Sequence, residues 1–167
     1  MKTSQQNVII LSSLFLTLFF NITFFKNVIN TYGFENMNSI YTFSIVILLF
    51  TILTFLFTIF SSKFTTKIIL ILIFVISSFT AYFMDTYHVI IDDEIIRNIL
   101  QTNISESSDL FSLKLIAYIA LLGLIPSFLI YKTKIEYKGL KKELISKLKT
   151  VILSLTIITI ILLSFSK

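Results

Sequence analysis

Five stretches of the chain carry no Asp, Glu, Lys, Arg or His: residues 8–25, 40–60, 68–83, 115–131 and 151–165, of 18, 21, 16, 17 and 15 residues. A helix needs roughly 20 apolar residues to cross a hydrocarbon layer about 30 Å thick. The shorter runs reach that length through flanking Ser and Thr, and through Lys67, Lys114 and Lys149, whose stems lie along apolar surface while the ammonium reaches water. Each charge at the centre of a span would cost at least about 2.5 kcal/mol, so five charge-free runs in 167 residues constrain the fold strongly. The runs lack the polar/apolar alternation of an outer-membrane barrel strand, and only helices or closed barrels satisfy the backbone in lipid. The expected fold class is therefore all-α: a polytopic membrane domain of five transmembrane helices.

Composition agrees. The chain is 56% hydrophobic and 14% charged, against about 25% charged in an ordinary globular domain. That much apolar side chain excludes disorder, and a chain this small has too little interior to hide it in water. With no Cys, disulfide frameworks, thiolate metal sites and Cys nucleophiles are excluded. Lys2 ahead of the first run resembles the start of a signal peptide. The residues from Asn21 to Phe25 make a poor cleavage site, so the run reads as an uncleaved first span.

Five crossings place the N-terminus, the 61–67 loop and the 132–150 loop on one side. That side holds ten lysines and two acids, net +8, and the other four basic residues and seven acids, net −3. The lysine-rich side reads as cytoplasmic, so the 26–39 and 84–112 loops and the C-terminus face outward. The overall charge of +5 follows from this topology and gives no reason to expect nucleic acid. The lysines of 132–149 suit anionic lipid headgroups instead.

The 84–112 loop holds most of the candidate chemistry. Asp92 suits an N-cap, with Asp93 and Glu94 in a first helical turn. Ile95, Ile96, Ile99 and Leu100 then form one apolar face, which predicts an amphipathic helix lying on the membrane surface. Asn98, Thr102 and Glu106, spaced i, i+4, i+8, make a polar stripe about 12 Å long beside that face. An amide, a hydroxyl and a carboxylate so placed suit an ammonium headgroup. Spacing alone fits an ordinary solvated helix border better.

Other candidates are weaker. His88 and Asp92 are spaced for a metal pair but read as a surface pair. Asp85 caps or anchors the third span, Pro126 kinks the fourth, and Asn21 bonds a neighbouring helix. No catalytic constellation, phosphate-cradling glycine loop or zinc-ligand cluster is evident, so no catalytic or metal-binding residue is assigned in this chain.

The run Tyr82-Phe83-Met84-Asp85-Thr86-Tyr87, with Ile90-Ile91-Asp92, Ile96-Arg97-Asn98, Thr102-Asn103 and Glu106, resembles the end of the membrane domain in bacterial phosphoethanolamine transferases. These enzymes modify lipid A and include the mobile colistin-resistance group. The likeness continues through Asp109-Leu110-Phe111-Ser112 and Lys114-Leu115 to Leu121-Leu122-Gly123-Leu124-Ile125-Pro126. His88 stands where the family usually has Gly, and Ile104 where Pro is frequent.

The resemblance implies a bacterial inner-membrane enzyme that moves phosphoethanolamine from phosphatidylethanolamine to lipid A or another envelope acceptor. Its Thr nucleophile and zinc would sit in a soluble periplasmic domain. Since the chain stops at Lys167, the expectation is an isolated membrane domain, 1–167, inactive without that domain. Asn98, Thr102 and Glu106 match family positions implicated in binding the donor headgroup, and on that ground they become the expected substrate-binding residues. The alternatives are a non-catalytic membrane protein, such as a transporter subunit or assembly factor, or a structural anchor.

Overall fold

The computed structural model describes residues 2–33, 37–87, 112–137 and 139–165. In chain order these form β1 (Lys2–Ser4), α1 (Gln5–Phe19), α2 (Ile22–Tyr32), α3 (Met37–Phe60), α4 (Thr66–Tyr87), α5 (Leu113–Tyr118), a π-helical turn (Ile119–Leu124), α6 (Ile125–Lys132), β2 (Lys134–Glu136) and α7 (Leu140–Ser164). Four segments are long and apolar enough to cross a membrane singly: Ser39–Phe60, Thr66–Tyr87, Leu113–Lys132 and Leu140–Ser164. The bent pair α1 and α2 makes a fifth when taken together. The polytopic helical architecture read from the sequence is the one observed. The interfacial helix expected within 84–112 lies outside the described residues.

Three expectations need correction. The first run, 8–25, is not one continuous span: α1 and α2 meet at 58°. Among the described residues, Asn21 makes no bond to another span either. Its Nδ2 donates to the Leu16 carbonyl of its own chain at 2.9 Å, an oxygen that also accepts from the Phe20 N–H at 3.2 Å. A short amide side chain that takes a backbone carbonyl competes with the helical ladder, and the helix stops. Lastly, residues 140–149, placed in a loop by their charge, are the first turns of α7. Lys, Glu and Leu are good helix formers, and Glu143 and Lys147 add an i,i+4 pair at 3.7 Å.

The helices pack in a row: α7 against α3, α3 against α1, α1 against α4, and α4 against the span made of α5, the π turn and α6. Buried Ile9, Leu16, Phe57, Leu70 and Phe74 form the centre of this row. The rings of Phe15, Phe20 and Phe74 meet there, with centroids 5.6 to 6.1 Å apart. Along α3, the hydroxyls of Thr51, Thr54 and Thr58 donate back to Ile47, Phe50 and Thr54 carbonyls, so these buried side chains leave no open donor in lipid.

In the fourth span a π-helical turn precedes the proline. Pro126 has no N–H to offer Leu122, and its ring crowds that carbonyl; the π turn directly before it absorbs the misfit. Within the turn Gly123 is buried against α4, where a Cβ would lie 2.8 Å from Ser78 Oγ. The absent side chain lets the two helices approach closely, as small residues do in membranes.

Contacts at one end join the segments that parity had grouped. β1 pairs in parallel with β2, Lys2 opposite Lys134, and Lys2 meets Glu136 at 3.4 Å. Gln5 Nε2 donates to Thr66 Oγ1 at 2.7 Å, Lys67 Nζ to the Tyr131 carbonyl at 2.8 Å, and Lys147 Nζ to the Ser61 carbonyl. The N-terminus, the 61–65 turn and the β2 region thus share the lysine-rich end. At the opposite end Tyr41, near the start of α3, has its ring 5.0 Å from Phe165, beyond α7.

Candidate functional site

The expected substrate-binding residues Asn98, Thr102 and Glu106 lie outside the described residues, as do His88, Asp92, Asp93 and Glu94. What is described is the frame from which residues 88–111 leave and to which they return. Tyr87 ends α4 on one side of it, and Ser112 caps α5 on the other.

Ser112 Oγ accepts from the Leu115 N–H at 3.1 Å, the usual work of an N-cap hydroxyl, and pairs with Tyr82 OH at 2.8 Å. Tyr82 is buried, so its hydroxyl requires a partner, and it finds one 30 residues along the chain. One hydrogen bond therefore holds the two roots of the 88–111 segment side by side.

Beside this pair sits Asp85, in the last turn of α4. One carboxylate oxygen accepts from Thr23 Oγ1 of α2 at 2.5 Å, and the other from Tyr118 OH of α5 at 3.1 Å. The sequence marked Asp85 as an anchor of its helix, and the carboxylate anchors three. A half-buried carboxylate at the end of a membrane helix is costly unless donors meet it; here two hydroxyls from separate helices do so. Among the described residues, Asp85 forms no ion pair.

The surroundings are aromatic. Tyr82 packs edge-on against Tyr118, Tyr87 and Phe83 at centroid distances of 5.7, 6.1 and 5.2 Å, while Phe83 and Tyr87 stack at 5.8 Å. Lys114 Nζ lies 6.0 Å from the Tyr118 ring centroid. Amphipathic tyrosines at this level suit a membrane–water boundary. The buried Thr86 Oγ1 has no partner among the described residues, an open polar position next to Asp85. Those residues include no group of three His, Cys, Asp or Glu able to hold a metal ion.

The sequence did not reveal Thr23, Tyr82, Ser112 and Tyr118 as one constellation. The available signal was an acid at the edge of an apolar run, which must find donors. Which donors it finds depends on α2 leaving α1 at 58° and packing against α4, and hence on the bend at Asn21.

The frame itself offers a fixed acceptor, Asp85, and an aromatic floor. Residues 49–167 match the family model described as phosphoethanolamine transferase EptA/EptB. The chain is 33% identical over 155 residues to phosphatidylethanolamine transferase Mcr-1 of Escherichia coli, covering 92% of this chain and 28% of that protein. It is 30% identical over 150 residues to Mcr-2 of the same organism, covering 90% of this chain and again 28% of the relative. Among solved structures, the integral membrane protein lipooligosaccharide phosphoethanolamine transferase A from Neisseria meningitidis superposes with a TM-score of 0.90 at 25% identity. That match covers 98% of this chain and 31% of the other. The chain thus spans less than a third of the length of these relatives.

Proposed function

The chain belongs to the phosphoethanolamine transferase EptA/EptB family, and on that premise we propose that it is the membrane domain that captures phosphatidylethanolamine as donor. The relatives are transferases by name, which displaces the reading as a transporter subunit or assembly factor. The observation that carries the proposal is the Tyr82–Ser112 bond beside the Asp85 triad. Tyr87 and Ser112, where residues 88–111 leave and return, lie at the end of the bundle opposite the lysine-rich one, which supports reading Asn98, Thr102 and Glu106 as a site on that side.

Held there, Glu106 supplies the negative charge for an ethanolammonium, and Asn98 and Thr102 supply hydrogen bonds to the same headgroup. The donor phosphate is then presented away from the bilayer to a nucleophile on another domain. The chain contributes capture and proximity, and effective concentration is a large part of any such transfer. Zinc and the Thr nucleophile belong, on this reading, to a soluble periplasmic domain; the acceptor is lipid A or another envelope molecule. The lysine-rich end then faces the cytoplasm of a bacterial inner membrane.

In the complete enzyme, Glu106→Ala and Thr102→Ala are expected to reduce lipid modification, read by mass spectrometry of extracted lipid A, while membrane insertion stays normal. Wild-type transfer by both variants would overturn the headgroup assignment and leave a structural anchor as the reading.

A further inference from the structure

At the lysine-rich end a cleft of about 480 Å³ runs between α1 and α6. Phe74 of α4 lies at its floor; Val8, Ser12 and Phe15 of α1 face Pro126 and Ile130 of α6 across it. Leu11 and Leu129 form its lips and are 60% and 61% exposed, so the cleft opens sideways on the surface that meets hydrocarbon. Its volume falls within the range of ligand cavities, about 300–1,000 Å³, and its shape and lining suit an acyl chain.

The end of the cleft nearest the β1–β2 pair is different. Thr3, Lys132 and Thr133 stand there. Thr133 Oγ1 already donates to the Leu129 carbonyl at 2.7 Å, but Lys132 is not committed to an anion. Its Nζ lies over the Phe128 ring at 4.6 Å, and among the described residues it forms no ion pair. Two of its cationic neighbours are engaged: Lys2 by Glu136 at 3.4 Å, and Lys67 by the Tyr131 carbonyl at 2.8 Å. An apolar slot open to lipid therefore ends at an ammonium at headgroup level, on the face with ten lysines and two acids.

We propose that this cleft binds one anionic glycerophospholipid from the leaflet at the lysine-rich end. An acyl chain lies along Phe74 between α1 and α6, and the phosphate meets Lys132, with the Thr3 hydroxyl as a further donor. A zwitterionic headgroup brings its own cation beside Lys132 and loses part of that attraction. The site is at the opposite end of the bundle from residues 88–111, so it is separate from donor capture and its failure would leave the donor reading intact.

The test uses the full chain reconstituted in vesicles of equimolar phosphatidylcholine and phosphatidylglycerol, extracted gently, with retained lipid identified by native mass spectrometry. The wild type is expected to retain phosphatidylglycerol over phosphatidylcholine by about fivefold, the preference one interfacial lysine supplies. Lys132→Gln should bring the ratio near parity. Leu129→Trp, at an exposed lip, should block entry and lower retention of both lipids, and Lys63→Gln, at the same end but outside the cleft, should change nothing. Helicity by circular dichroism identifies any variant that has not folded. Equal retention of the two lipids by the wild type, an unchanged ratio in folded Lys132→Gln, or full retention by folded Leu129→Trp would each overturn the proposal.

Discussion

Replacing Asp85 by Ala should destabilise the bundle by about 2 kcal/mol. The carboxylate accepts two hydroxyl hydrogen bonds, from Thr23 at 2.5 Å and Tyr118 at 3.1 Å. A bond to a charged group contributes about 1.5–3 kcal/mol when well shielded. Asp85 is half-buried, so water would take up part of the loss, and about 1 kcal/mol per bond is the figure we adopt. Asp85→Asn keeps the shape and one acceptor oxygen but loses the charge, and should cost about half as much. For a domain of this size, 2 kcal/mol corresponds to a fall in Tm of about 4–8 °C, measurable by far-UV circular dichroism of the purified protein in detergent. The pairwise contributions separate in double-mutant cycles. Asp85→Ala with Tyr118→Phe, and Asp85→Ala with Thr23→Val, should each show a coupling of about 1 kcal/mol. Tyr118→Phe and Thr23→Val should add independently once Asp85 is gone. A Tm within 1 °C of wild type for Asp85→Ala, or purely additive cycles, would refute the view that this carboxylate ties α2, α4 and α5 together.

Two further outcomes follow from the packing. Gly123→Ala should destabilise, because its Cβ would meet Ser78 Oγ at 2.8 Å, and overpacking of about 1–3 kcal/mol outweighs the roughly 1 kcal/mol gained when Ala replaces a helical Gly. Ser78→Ala in the same chain should recover most of the loss in thermal unfolding; no recovery would place the strain elsewhere. Asn21→Leu should remove the side-chain bond to the Leu16 carbonyl and straighten the join between α1 and α2, lengthening the distance between spin labels at exposed Leu11 and Ile29. An unchanged distance would show that the 58° bend is set by packing against α3 and α4 rather than by Asn21.

The spans and their parity were legible because hydrocarbon excludes charge: runs without ionisable groups and a one-sided surplus of lysine are properties of composition and order alone. The β1–β2 pairing and the Gln5–Thr66 bond join segments that counting crossings had already put together. Less legible were features where two local solutions compete. The stretch around Asn21 is apolar enough for a straight span, yet the amide takes a carbonyl and breaks it. Residues 140–149 are polar enough for a loop, yet they are strong helix formers and continue into α7. Pro126 marked a disturbance in the fourth span without saying that a π turn would absorb it, or that Gly123 would use the turn to reach Ser78. At the site, a carboxylate ending α4 announced a need for donors. Thr23 and Tyr118 are 62 and 33 residues away from it, and only the packed bundle selects them. The stripe of Asn98, Thr102 and Glu106 was readable as spacing, and the proposal that it holds a headgroup rests on family likeness.

The most direct test of donor capture is equilibrium binding of short-chain phosphatidylethanolamine and phosphatidylcholine to the purified chain, with Glu106→Gln beside the wild type. The ethanolammonium offers N–H donors that the trimethylated headgroup lacks, and a charge-assisted bond to Glu106 amounts to about tenfold or more in affinity. The account predicts that the wild type prefers phosphatidylethanolamine by at least that factor and that Glu106→Gln loses the preference. Equal affinity for the two lipids, or a preference that survives Glu106→Gln unchanged, would contradict it.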